Sequence, residues 1–218
     1  LVSPVQTLFK QRYGILLGEM KKIWAAVRLS GPVEWPVLWR VADEIADLRL
    51  VRAEVLPLLH FEKQEEAPLN NHLLSVAFLT AMMLRAQGNV GEKDIREAVC
   101  AALLHDVGKF HLPMRIMDKT GPLTFEEDRL MRTHPLVAYR YLQEASKEAP
   151  LPLSVLMGVL QHHERPDGQG YPMRVGSMKT HPYAKVLALA DAYESRTSRR
   201  QPDGSEVSPF GAARELYK

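Results

Sequence analysis

Apolar residues recur at intervals of three and four along almost the whole chain, and no stretch alternates apolar and polar residues as a half-buried strand would. That periodicity restricts the fold to packed helices. Residues 5–29 carry Val5, Leu8, Phe9, Ile15, Leu16, Ile23 and Val27 on a helical repeat that stops at Ser30-Gly31-Pro32. A second stretch, 34–61, sets Val41, Ile45, Leu48, Val55 and Leu59 on a shared face, with Pro57 expected to kink it. Pro68 suits the first turn of a helix over 69–86, where its missing N–H costs little, and Gly88 ends that helix. Residues 92–104 form an Ala-rich helix that runs into His105-Asp106. Thr124 and Glu127 have the spacing of a capping box for the next helix, which the Pro135 after His134 breaks and restarts. Apolar helices follow over 152–163 and 183–198, a Gly- and Pro-rich loop over 165–182 lies between them, and residues 212–218 read as an unfinished helix. The expected fold is an all-α bundle. Residues 1–62 form an N-terminal helical lead-in, suited to dimerisation or signal transmission, and residues 63–218 form the functional domain.

Composition excludes several classes of function. With 46% hydrophobic and 25% charged residues, a chain of 218 can bury a core without cross-links. Its 28 basic and 26 acidic residues leave a net charge of +2, which argues against DNA or RNA as a partner, because such binders carry a marked basic excess. The single cysteine, Cys100, excludes an internal disulfide framework and a thiolate-rich zinc site, and fits a reducing, cytoplasmic setting. No apolar run approaches the roughly 20 residues of a membrane helix. The chain starts at Leu1 with neither an initiator Met nor a signal-like leader, so it is expected to be a piece of a longer polypeptide.

The chemistry gathers at histidines. Five of the eight lie in one pattern: His72, His105 beside Asp106, His134, and His162-His163 before Glu164. Asp191 adds a carboxylate inside the apolar helix over 183–198. Burying one such group among aliphatic neighbours is costly unless it finds a partner. A shared cation is a partner that would serve them all. Imidazole and carboxylate without thiolate suit Fe, Mn, Co or Ni, with Zn admissible, and a pair of such ions suits phosphoryl hydrolysis. Taken singly, each of these histidines is more often a surface or core residue, and His60, His111 and His181 keep that ordinary reading. It is the joint occurrence that points to metal.

His105-Asp106-Val107-Gly108-Lys109 resembles the signature of the HD phosphohydrolase superfamily, and the run over 162–172, His-His-Glu-Arg-Pro-Asp-Gly-Gln-Gly-Tyr-Pro, is similar to the motif of its HD-GYP branch. Ala190-Asp191-Ala192-Tyr193 follows at the expected distance, and the resemblance covers residues 68–216. It implies an HD-domain helical bundle with a Gly/Pro-rich GYP loop, acting as a metal-dependent phosphodiesterase on cyclic di-GMP. Carried across by position, His72, His105, Asp106 and Asp191 would hold one divalent metal. Asp106 would bridge to a second, completed by His134, His162 and His163. Fe or Mn is the expected metal, and a hydroxide held between the ions is the expected nucleophile. Lys109 would meet the scissile phosphate as a compact cation.

Arg165, Gly170 and Tyr171 are candidate substrate-binding residues on the chemistry of the loop itself, and Arg200 falls where the family carries a phosphate-binding arginine. Arg165 could equally hold Asp167 or Glu164, Tyr171 could present its face to a guanine or pack under the loop, and Arg200 could equally be solvated. Pro68 stands where some members carry a glutamate for a third metal, so two metals are expected here. Glu194 replaces a usual aspartate, and Asp203 stands where a second phosphate-binding cation is often found, which bears on substrate affinity more than on metal binding. Two other readings stay open: another cyclic dinucleotide or nucleotide as substrate, and a weakly active cyclic di-GMP sensor that docks a GGDEF-type or other signalling protein through the loop. The family is often fused to upstream sensory or receiver domains, and a homodimer is compatible with the apolar lead-in.

Overall fold

The helix that organises the bundle is apolar on all sides over its C-terminal half. A computed structural model describes residues 4–29, 31–47, 59, 68–117, 119, 121–198 and 208–216. In order, its helices are α1 (Pro4–Arg28), α2 (Trp35–Ala46), α3 (Pro68–Gln87), α4 (Glu92–Leu104), α5 (Met114–Met117), α6 (Phe125–Met131), α7 (His134–Ala145), α8 (Leu153–Gln161), α9 (Pro182–Ser198) and α10 (Pro209–Leu216). Short 3-10 turns stand at Val107–His111 and Ser177–Lys179. No strand occurs among the described residues. In α4 every residue from Ala98 to Leu104 is buried, and the helix packs against α2, α3, α8 and α9. A helix buried all round must sit at the centre of its bundle. Its alanines let neighbours come close, and a Cβ added to Gly158 of α8 would stand 3.0 Å from that of Ala101.

The lead-in helices share this core. Phe9 packs edge-on against Phe78 of α3 with ring centroids 5.1 Å apart, and the Tyr13 hydroxyl lies 3.4 Å from both Asn71 Oδ1 and Ser75 Oγ. The buried face of α1 is Phe9, Tyr13, Leu16, Leu17, Met20, Ile23, Trp24 and Val27, whereas Leu8 and Ile15 point outward at 45% and 52% exposure. The apolar repeat includes those two, but they fall outside the buried stripe. The aromatic residues Tyr13 and Trp24 rotate the core-facing stripe away from them. Two side chains tie helix ends together: Trp35 Nε1 donates to Ala145 O (3.1 Å), and Arg85 Nη2 donates to Ala46 O (2.6 Å), each filling a carbonyl that a helix C-terminus leaves unpaired.

The second expected stretch is broken at Asp47. α2 stops at Ala46, and Asp47 turns extended (φ −64°, ψ 127°); the Pro57 kink lies outside the described residues. The capping box forms as the spacing predicts: Glu127 N donates to Thr124 Oγ1 (3.3 Å) and Thr124 N donates to Glu127 Oε2 (2.8 Å). Glu127 also pairs with Lys119, and these partners hold its carboxyl down at about 2. After α6, a turn at Arg132-Thr133 leads into α7, whose first residues are His134 and Pro135. No described helix is long and apolar enough to cross a membrane.

Candidate metal centre

Helix ends converge on one buried spot at the C-terminus of α4. The helix stops at Leu104, His105 caps it, and Asp106 (φ −101°, ψ 6°) turns the chain into the 3-10 segment that carries Lys109. α7 begins against this turn, and α8 ends beside it with His162 as its cap. α3 supplies His72 from its first turns, and α9 supplies Asp191.

Three of the histidines are aimed by the same device. His105 Nδ1 lies 2.7 Å from Ala102 O, His134 Nδ1 2.8 Å from Met131 O, and His162 Nδ1 2.7 Å from Val159 O. Each acceptor is a carbonyl three residues back in the last turn of a helix, where no intrahelical N–H claims it. The carbonyl fixes the hydrogen on Nδ1 and presents Nε2, as a lone pair, to the centre.

Those Nε2 atoms meet around Asp106, which is 1% exposed. His134 and His162 Nε2 stand 3.1 and 3.9 Å from Asp106 Oδ1, while His105 and His72 Nε2 stand 3.4 and 3.5 Å from Oδ2. His72 Nε2 is also 3.3 Å from Asp191 Oδ1 and 3.3 Å from His105 Nε2. The ligand atoms of His72, His105 and Asp106 lie within 4.8 Å of one another, as do those of His134, His162 and His163. Asp106 therefore has one oxygen toward each group. Lys109 pairs with its Oδ2.

The electrostatics follow from crowding. Burial opposes ionisation of Asp106, but Lys109 and His105 outweigh it and hold the carboxyl well below its ordinary range. Burial also disfavours a charged His72, yet contacts with Asp106, Asp191 and Glu194 raise its pKa well above that of a free imidazole. Burial and the neighbouring His163, His105 and His134 push His162 well down, and burial with His134 brings His163 to about 3. Asp191 is lowered despite its burial, chiefly by the hydrogen bond to His72.

This arrangement fits divalent cations. Asp106 Oδ1 is buried without an aligned hydrogen-bond donor, because the imidazole nitrogens facing it carry lone pairs. His134 and His162 Nε2 are 3.2 Å apart, so two lone pairs and a carboxylate oxygen share one dry space. A cation is the common partner that satisfies all three.

The loop over 165–182 is built on Glu164, a residue the motif contains but whose function sequence reasoning missed. Its Oε1 accepts from Met173 N (2.6 Å) and Arg174 N (3.0 Å), and Oε2 accepts from Val175 N (3.0 Å). Arg165 forms a two-point pair with Asp167 (3.2 and 2.7 Å). Gly170 is buried, and a Cβ there would stand 2.4 Å from Arg165 N, so the close approach it permits is to the chain itself. The Tyr171 ring lies 4.7 Å from that of His163, and the Arg132 guanidinium sits 5.3 Å from its centroid. Both contacts favour the packing role for Tyr171. Arg132, exposed and held by Asp128 (2.6 Å), is a cation at the rim that the sequence reading passed over; its place two residues before His134 was the available signal. Glu194 was also missed. It is 4% exposed, and its Oε2 lies 2.6 Å from His72 Nδ1. Arg200 and Asp203 lie outside the described residues, as does His60; His111 packs on Tyr141, and His181 Nδ1 accepts from Tyr183 N.

A family model for the HD domain matches residues 57–218. Among curated relatives, a cyclic di-GMP phosphodiesterase of Pseudomonas aeruginosa is 34% identical over 160 residues, which is 73% of this chain and 38% of that protein. One from Thermotoga maritima is 32% identical over 148 residues, 67% of this chain and 39% of the relative. A 3'3'-cGAMP-specific phosphodiesterase of Vibrio cholerae is 26% identical over 174 residues, 75% of this chain and 35% of that one. The chain thus spans under two fifths of the length of these relatives. Among solved structures, an HDG"Y"P protein from Bdellovibrio bacteriovorus superposes with a TM-score of 0.77 over 98% of this chain and 66% of that one, at 18% identity, a likeness of fold. The chain belongs to the HD-domain family.

Proposed function

We infer that this chain is a divalent-metal-dependent phosphodiesterase that opens cyclic di-GMP to linear pGpG, with GMP as the product of a second cut. One observation carries the reading: Asp106 lies between two histidine groups with one oxygen toward each. In this reading His72, His105, Asp106 and Asp191 hold one cation, and Asp106, His134, His162 and His163 hold another. Fe or Mn suits the nitrogen and oxygen donors best, with Ni, Co or Zn as substitutes. Bound divalent cations would make a water nucleophilic near neutral pH and offset charge on the entering and leaving oxygens.

The chain's own residues supply the rest. Lys109, beside Asp106, offsets charge on the scissile phosphate. Arg132 meets the second phosphate or a base at the rim, on the platform that Tyr171 makes over His163. Arg165 and Gly170 keep the loop in shape, and Arg200 is a further candidate for phosphate. A cytoplasmic setting and an upstream sensory or receiver domain belong to the same reading. So does docking of a GGDEF-type protein on the loop, whose Met173 and Met178 are exposed, and so does dimerisation through α1, whose Leu8 and Ile15 are exposed.

The relatives named for 3'3'-cGAMP support a second reading in which the mixed cyclic dinucleotide is the substrate. Hydrolysis by Mn- or Fe-loaded protein, measured across a panel of cyclic dinucleotides, separates the readings. Fastest turnover of cyclic di-GMP supports the first, and fastest turnover of 3'3'-cGAMP the second. Tight binding without cleavage of any member would replace both with a sensor.

A further inference from the structure

His72 cannot be aimed as the other three histidines are. His105, His134 and His162 each turn Nδ1 to a spare carbonyl at a helix end (2.7–2.8 Å). His72 lies in the opening turns of α3, where the carbonyl three residues back, that of Leu69, belongs to the helix's own ladder. A side chain must do for His72 what the backbone does for the others.

We propose that Glu194 is the positioning residue of one of the two metal sites: it fixes the His72 ring so that Nε2 faces Asp106 and His105. Its Oε2 stands 2.6 Å from His72 Nδ1, and its Oε1 accepts from Ser198 Oγ (2.6 Å), one turn further along α9. Asp191 lies one turn earlier on the same face, with Oδ1 3.3 Å from His72 Nε2. A single helix therefore brackets the ring at both nitrogens, Asp191 on the metal side and Glu194 behind it. A carboxylate on the far nitrogen orients the imidazole and makes it a better donor to a metal. Glu194 acts on His72, which stands with His105 at Asp106 Oδ2, so its effect is expected at that group first. The glutamate side chain is long enough to reach Nδ1 across the α3–α9 contact. The inference rests on the two-metal reading above.

Titration of the metal-free chain with MnCl2, followed by calorimetry, tests it. Wild type should bind at two sites. Glu194→Ala should weaken one of them by about 10- to 100-fold and leave the other within a few-fold. Glu194→Gln, whose amide oxygen still accepts from Nδ1, should recover most of the lost affinity. A Glu194→Ala variant that binds at both sites as wild type does would overturn the positioning role while leaving the two-metal reading intact. Equal loss at both sites in both variants would overturn it in favour of a general structural role. Absence of Mn binding by wild type would instead remove the two-metal reading itself, and this inference with it.

Discussion

Gly108 lies so close beneath the carbonyl of His134 that a Cβ on it would stand 2.0 Å from that oxygen and 2.8 Å from Ala138 N. The start of α7 rests directly on the HD turn, and this contact brings His134 to Asp106. Gly108→Ala must push α7 away. The expected cost is about 3 kcal/mol of stability, at the upper end of the range for overpacking. Metal bound by the His134 group should be lost before metal bound by the His72 group. Urea unfolding together with metal analysis checks both parts, and unchanged metal content at full stability would contradict them.

Glu164 holds three consecutive amides of the loop, so its loss should be felt there first. Glu164→Ala removes a buried, charged acceptor and should lower stability by roughly 2–3 kcal/mol, or open the loop locally at lower cost. Hydrogen exchange at the amides of Met173, Arg174 and Val175 distinguishes the outcomes. Exchange should accelerate at these three in either case.

Much of the site was legible before any coordinates because a buried imidazole has few tolerable surroundings. Five histidines and two aspartates at the ends of or within apolar helices pointed to a shared partner, and the structure brings the seven side chains together around the turn at Asp106. The supporting residues were harder to read. Glu194 is a carboxylate on a helix, and nothing in its spacing tells that His72 lies across the helix contact. The need for Gly108 comes from a residue 26 positions later, and its Cβ clash is visible only once α7 is placed. Helix periodicity found α1 but did not tell which face is buried, since Leu8 and Ile15 satisfy the repeat as well as the buried Leu16 and Ile23 do. The end of α2 at Ala46 also escaped, because the apolar repeat continues past it.

Lys109 competes with a metal for Asp106 Oδ2 and is expected to help the scissile phosphate. Lys109→Met should therefore move two quantities in opposite directions. Metal affinity should rise by a few-fold, because a like charge beside the site is removed. Turnover should fall by about 100-fold at saturating metal, as expected for loss of one charge-stabilising group. A fall in both, or no change in turnover, would contradict the assigned role.

Arg132 sits on the Tyr171 ring, outside the buried centre. Arg132→Ala should raise KM for a cyclic dinucleotide by roughly tenfold, about 1.4 kcal/mol, with kcat and metal content little changed. Steady-state kinetics on the metal-loaded variant tests this. A change confined to kcat would place Arg132 elsewhere in the reaction.

The most direct test of the central claim is the metal content of wild type and Asp106→Asn after loading and desalting, read by elemental mass spectrometry beside circular dichroism. Wild type should carry about two ions per chain, as a binuclear hydrolytic centre requires, and Asp106→Asn should fall below one with its helices intact. Two ions retained by the variant, or none held by wild type, would contradict a centre bridged by Asp106.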